Sequence, residues 1–211
     1  MMKPIIFNTD MVEAILSGRK SQTRRLIKTE NASAWRAVNH CHESDFGSEV
    51  PCFIARKRAT EARGILYPPC DIGDTLYVRE TYQHVFYDDG TPCNRYVYRA
   101  SEEAVEFEMR EIHWKWKPSI HMPKKAARIF LRVTDVRAER LQEITLSDME
   151  KEGLYTESPY TPGHYAYAPG MGLHWRRLWN STVKDTSSHG WDANPWVWVI
   201  SFEQCERKIE L

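Results

Sequence analysis

Ile72-Gly73-Asp74-Thr75-Leu76-Tyr77-Val78-Arg79-Glu80 is the stretch on which the fold turns. Ile72-Gly73-Asp74 reads as a turn, and residues 75–80 as a strand with Leu76 and Val78 on its inner face. Working outward, Ile129, Leu131 and Val133 alternate along another strand that runs toward Val136. Asp88-Asp89-Gly90 reads as a hairpin turn between Val85-Phe86-Tyr87 and Tyr96-Val97-Tyr98. Pro195 opens a last strand in which Trp196, Trp198, Ile200 and Phe202 share one face. The expected class is therefore α+β, mainly β. Short antiparallel strands with a few helices at the connections suggest a small β-barrel rather than a doubly wound sheet.

The helices are short and well punctuated. Asp10, with Glu13 three residues on, is expected to cap the first, and Met11, Val12, Ile15 and Leu16 give it an apolar face. Gly18 supplies its stop. Thr145 and Asp148 form a second capping box, with Ile144 and Met149 as a hydrophobic staple. Gly153 ends that helix and leaves Glu152 in its last turn. Trp175, Leu178 and Trp179 are the buried stripe of a third helix. Residues 29–70 have weak periodicity and read as an insertion with one short helix near Trp35. Residues 155–172, rich in Tyr, Pro and Gly, read as a second insertion without regular structure, long enough to be a lid or binding loop. No linker divides the chain, so residues 1–211 are expected to be a single domain.

The 211 residues carry 29 Lys and Arg against 29 Asp and Glu, which excludes a polyanion binder held by overall charge. The charge is uneven, however. Arg19, Lys20, Arg24, Arg25 and Lys28 cluster without an acid among them. Arg56, Lys57 and Arg58 form a second basic group, and Lys115, Lys117, Lys124, Lys125 and Arg128 a third. Solvated faces account for most such runs. With no signal peptide or long apolar run in view, a cytoplasmic protein without a membrane partner is expected. Five cysteines without a CxxC pair point to reduced thiols. His40, Cys41, His42, Cys52 and Cys70 match no common zinc spacing, so neither a metal nor a cofactor is expected. The chain has no P-loop, GxGxxG, GxSxG or HExxH, which argues against several large enzyme classes.

Chemistry concentrates in Gly18-Arg19-Lys20-Ser21-Gln22-Thr23-Arg24-Arg25. Read as one short turn, it sets an amine, a hydroxyl and a guanidinium together. Such groups bind a phosphate or a base edge, and an amine beside a hydroxyl also suits acyl transfer. Lys20 acts as a base only if burial or neighbouring cations lower its pKa. Otherwise the segment is a basic surface loop. Glu152 meets the negative end of its helix, which opposes its charge unless a cation such as Lys20 or an arginine answers it. Trp114 and Trp116 alternate with Lys115 and Lys117, a pattern suited to base stacking and phosphate contact or simply to filling a barrel. His121, restrained between Pro118 and Pro123, is a candidate to face a pocket. Arg79 and Glu80 close their strand and are expected to pair with each other.

Gly18 to Arg25 matches the Gly-x-Lys-x-x-Thr-x-Arg motif and thereby resembles the ASCH family (activating signal cointegrator homology). Residues 72–80 look like its Gly-Asp strand, 141–154 like its short acidic helix and 195–203 like its closing strand. Pro118-Ser119-Ile120-His121-Met122-Pro123 is similar to the longer variant of phages and prophages. The resemblance implies a PUA-like β-barrel with a cleft lined by the first motif, associated with RNA binding. A compact branch hydrolyses N(4)-acetylcytidine with a Lys, a Thr and a Glu. Carried over, these fall on Lys20, Thr23 and Glu152, with Glu150 as the neighbouring alternative. Arg19, Arg25, Arg79, Ser119 and His121 are the expected substrate contacts. The implied partner is a nucleoside or single-stranded RNA, or DNA. A non-catalytic binding module and a ribonuclease are the alternatives. At 211 residues and with two insertions, this chain departs from the compact branch.

Overall fold

The computed structural model describes residues 1–28, 35–41, 50–55, 65–86, 91–102, 104, 115–154 and 169–207. The chain is mixed α and β with strands predominating. The strands are β1 (Met2–Ile6), β2 (Gln22–Leu26), β3 (Trp35–Cys41), β4 (Val50–Ala55), β5 (Ile65–Leu66), β6 (Thr75–Arg79), β7 (Tyr82–Phe86), β8 (Pro92–Tyr98), β9 (Phe130–Arg140) and β10 (Trp196–Cys205). The helices are α1 (Thr9–Leu16), α2 (Leu146–Lys151), α3 (Pro169–Thr182) and α4 (Thr186–His189). A five-stranded sheet has the order β1-β6-β9-β10-β2, alongside a three-stranded sheet β3-β4-β5 and the hairpin β7-β8. The described residues form these open sheets, and the expected barrel is not among them. No helix among them is long and apolar enough to cross a membrane.

The chain divides into two compact units. The first comprises Met1–Gly18, Gly73–Arg132 and Glu203–Leu211. In it β1 lies parallel to β6, with Met2 opposite Thr75 and Ile6 opposite Arg79, where only antiparallel pairing was expected. A parallel pair needs a long crossover, and the chain between residues 6 and 75 provides it. Leu76, Val78, Leu131 and Val133 are buried, as their alternation predicts, and Gly73 turns with φ +85°. The strands β7 and β8 pair antiparallel, and the tip of their hairpin falls outside the described residues. Tyr82, Met122, Ala126, Ala127 and Phe130 make a buried cluster.

Two expectations for this unit are corrected. Asn8, not Asp10, caps α1: its Oδ1 accepts the Met11 amide at 2.9 Å, and Asp10 sits inside the first turn. Asn8 holds extended φ and ψ, as a capping residue must, before Thr9 begins the helix. Arg79 and Glu80 do not pair. Strand alternation sends them apart, Arg79 to the carbonyls of Ile120 and Met122, and Glu80 to a two-point bond with Arg128 at 2.9 and 3.0 Å.

The second unit comprises Arg19–Ile72 and Val133–Phe202. Here β2 pairs antiparallel with β10, from Leu26 opposite Val197 to Gln22 opposite Ser201. Thr145 and Asp148 cap α2 reciprocally, as read from sequence. Leu141, Ile144, Met149, Met171, Trp175, Trp179, Val197 and Val199 form its core. The strand β10 is buried on both faces, since Val197 and Val199 enter this core while Trp198, Ile200 and Phe202 are also covered. One covered face was expected, but α3 supplies the second cover. Residues 35–41, expected to include a short helix, are instead a strand laddered to β4. Ladder pairing outweighs weak local propensity there. Residues 169–172, expected in a loop, already belong to α3. The rest of that loop, the basic group at residues 56–58 and Trp114 lie outside the described residues.

Asn8→Ala should cost about 1 kcal/mol of stability, and Asp10→Ala markedly less. Urea unfolding of both variants checks which residue is the cap.

Candidate functional site

Of the segment read as a basic turn, only Gly18 lies in a turn; from Lys20 onward it is extended and largely buried. Lys20 forms an isolated antiparallel bridge with Glu152, and β2 begins two residues later. The Ser21 amide donates to the Lys151 carbonyl at 2.8 Å, and the Phe202 amide donates to the Ser21 carbonyl at 2.9 Å. The motif is thereby held between the end of α2 and β10. Lys20, Gln22, Thr23 and Arg24 are all buried.

Glu152 is the residue just past α2, where unsatisfied carbonyls and the helix dipole make the environment negative. Cations answer it. Lys20 Nζ donates to the Glu152 backbone carbonyl at 2.8 Å and to Oε2 at 2.7 Å. The Lys20 and Glu152 side chains are 0% and 1% exposed. Arg24 Nη1 donates to Glu152 Oε1 at 3.2 Å, so both carboxylate oxygens are engaged. Arg19 Nη1 donates to the Gly153 carbonyl at 3.4 Å. This geometry selects Glu152 over Glu150 as the partner of Lys20.

Arg24 was read from sequence only as one cation among several. It is the hub of the site. Nη1 also donates to Gln22 Oε1 at 3.0 Å, and Nη2 reaches Glu139 at 3.3 Å and Asp148 at 3.5 Å. Arg137 joins the same carboxylates, through Glu139 and, at 3.7 Å, Asp148. Strand periodicity could have drawn attention to Arg24, because it shares a face with Gln22. The carboxylates it meets there come from residues more than a hundred positions away.

Thr23 and Arg25 occupy the opposite face of β2. Arg25 Nη1 donates to Thr23 Oγ1 at 3.1 Å. The Thr23 hydroxyl is thus engaged by Arg25 rather than by Lys20. Burial lowers the Lys20 pKa from its ordinary 10.5; the Glu152 carboxylate opposes the shift, and Arg25 and Arg24 add to it. Burial likewise lowers Arg25, with Glu152 opposing. At Asp148, burial would raise the pKa, but hydrogen bonds from Thr145 and the charges of Arg24 and Arg137 outweigh it and the net shift is down.

The remaining expected contacts belong to the first unit. Ser119 and His121 lie in a single 3-10 turn, Ser119–His121, with His121 exposed. Arg79 holds that turn by its carbonyls, and the Tyr82 hydroxyl donates to the His121 carbonyl at 3.0 Å. The same unit carries a hollow of about 520 Å³ lined by Arg95, Tyr96, Tyr98, Ser101, Glu102 and Arg128. Arg128 stacks over the Tyr98 ring at 4.2 Å. Among the described residues no group of three His, Cys, Asp or Glu is placed to hold a metal.

No protein-family model matches the chain, and neither the curated proteins nor the solved structures give a match.

Glu152→Gln leaves the Lys20 ammonium buried without its counter-charge and should cost about 3–5 kcal/mol. The paired replacement Lys20→Met with Glu152→Leu should recover much of that loss, as chemical denaturation of both variants will register. Stability should also vary with pH. Since Lys20 titrates lower folded than unfolded, the unfolded chain holds more protons between the two values, and stability rises with pH across that window. Asp148, shifted down, contributes stability above its unfolded value of 3.8 that is lost as pH falls through its folded value. Melting curves across pH measure both slopes.

Proposed function

We propose that this chain is an ASCH-type, PUA-like protein that binds a nucleoside or RNA base at the Lys20 site and hydrolyses an N-acyl group from it. The observation that carries this reading is the buried pair of Glu152 with Lys20, the lysine of the Gly-x-Lys-x-x-Thr-x-Arg motif. A lysine that only attracts phosphate works best exposed and fully charged. A sealed lysine with a lowered pKa suits proton transfer.

The chemistry follows from one proton. Transfer along the 2.7 Å bond from Lys20 Nζ to Glu152 Oε2 converts ammonium and carboxylate into amine and carboxylic acid. Burial disfavours the charged ammonium, while Arg24 on Oε1 favours the charged pair. The neutral Lys20 then accepts the Thr23 hydroxyl proton, and Oγ1 attacks the acyl carbonyl. Arg25, already donating to Oγ1, steadies the negative charge on that oxygen as the proton leaves. Protonated Glu152 donates to the departing amine, the C–N bond breaks, and water hydrolyses the acyl-threonine. Thr23 and Lys20 are brought together in the substrate complex, where catalytic hydrogen bonds commonly tighten.

A second reading, a non-catalytic single-strand-binding module, is favoured by the tyrosine- and arginine-lined hollow of the first unit and by the exposed Lys115, Lys117, Lys124 and Lys125.

Incubation with N(4)-acetylcytidine should release cytidine, followed by chromatography, and Lys20→Ala or Thr23→Val should lower the rate by about 10²–10⁴-fold. The wild-type rate should fall at high pH as the Lys20–Glu152 pair loses the one proton it shares, with the midpoint below 10.5. No release, or equal release by Lys20→Ala, removes the hydrolytic reading. If the protein binds only as a module, affinity for single-stranded RNA should fall linearly with log salt by about 0.7 per phosphate contacted, as fluorescence anisotropy will record.

A further inference from the structure

The hairpin β7-β8 has two unlike faces. Across its ladder Tyr82 lies opposite Tyr98 and His84 opposite Tyr96. Opposite residues share a face, and the rings meet in a row. The Tyr82 and Tyr96 centres are 6.0 Å apart, Tyr96 and His84 4.8 Å, and His84 and Phe86 5.4 Å. The other face carries Gln83 and Val97, which are 7% and 0% exposed. The root of the row is sealed, since Tyr82 packs with Met122 and Phe130. Toward the hairpin tip the cover falls away: His84 and Tyr96 are half-buried and Phe86 is 39% exposed. Burial alone favours hiding rings before a valine, because a ring removes more apolar area from water. A face that does the reverse marks a binding surface.

The row runs into the hollow of this unit, because Tyr96 belongs to both. The wall beyond it is fixed in advance. Arg128 lies over the Tyr98 ring and is held by two bonds to Glu80, while the Tyr98 hydroxyl donates to the Ala126 carbonyl at 2.6 Å. Groups ordered before a ligand arrives cost little to use. Cations flank the row. Burial lowers the His84 pKa and the charges of Lys117 and Lys125 add to the shift, so both exposed ammonium groups stand near that ring. Arg95 lines the hollow beside Tyr96, where Glu102 is the only acid among the described lining residues.

Flat rings flanked by cations match a chain that alternates flat bases with phosphates. We propose that the aromatic row of β7 and β8, continued into the hollow, is a stacking track for a single-stranded nucleic acid. His84 and Phe86 take bases, Tyr96 leads the strand into the hollow, and Lys117 and Lys125 take phosphates. The partner is a single strand because bases paired in a duplex have no free face to stack. The proposal rests on the single-strand reading above and gives it a site in the first unit, using none of the residues assigned to hydrolysis.

Fluorescence anisotropy of the full chain with labelled oligouridylate and oligothymidylate tests this. Binding of either strand along the row supports the proposal, and the tighter of the two names the sugar. Phe86→Ala and His84→Ala should each weaken binding about tenfold and leave its salt dependence unchanged, because stacking releases no counterion. Lys117→Gln and Lys125→Gln should each lower the slope against log salt by about 0.7. A duplex of matching length should bind more weakly. In the wild-type protein, which needs no variant, the ring-proton resonances of His84 and Phe86 should move upfield as the strand is added. Unmoved ring resonances at saturation overturn the proposal and leave strand binding elsewhere on the chain standing. So does wild-type affinity in both ring variants, or a duplex bound as tightly as the single strand. A wild-type chain that binds neither strand removes the single-strand reading and this proposal together.

Discussion

The charge cluster of Lys20, Arg24 and Glu152 is the constraint on which the second unit depends. A carboxylate at a helix C-terminus, removed from water, is held only if cations reach it with good geometry. Lys20 takes one oxygen and the backbone carbonyl, and Arg24 takes the other oxygen. Through Arg24 the cluster extends to Glu139 on β9 and Asp148 on α2. The strand β2 is thereby locked to β9 and α2, which lie more than a hundred residues further along the chain. Asp148 serves twice, since the carboxylate that completes the α2 capping box also faces Arg24.

The alternation of β2 organises the chemistry around that cluster. Gln22 and Arg24 turn to the side of Glu152, while Thr23 and Arg25 turn the other way and bond to each other. The strand so separates the Lys20–Glu152 pair from the Thr23 hydroxyl. Burial lowers the pKa of the Lys20 amine, and the same burial makes its counter-charge indispensable.

The first unit spends its distinctive residues differently. From sequence, Arg79 and Glu80 are expected to pair with each other, and Arg79 to contact the ligand. One instead fastens the turn that carries Ser119 and His121, and the other anchors Arg128 over Tyr98. These are positioning roles, and they leave the aromatic and cationic lining of the hollow of this unit as its chemical surface.

Local rules carried the sequence a long way. Alternation placed Leu76, Val78, Leu131 and Val133 inside, the Thr-x-x-Asp box located α2, and the spacing of Trp175 and Trp179 identified the buried stripe of α3. Those rules act over two to four residues, and the sequence determines them by itself. The same range explains the misses. Residues 35–41 became a strand because β4, nine to twenty residues further on, supplied a ladder, and Met2 to Ile6 lies parallel to β6 because a long crossover returned the chain in that direction. At the site, Lys20, Thr23 and Glu152 stood out from the sequence as residue types. Only the tertiary structure decided that Lys20 is sealed against Glu152 and that Arg24 is the hub. Burial, charge pairing and the satisfaction of donors are sums over neighbours in space, and those neighbours lie more than a hundred residues away in the chain.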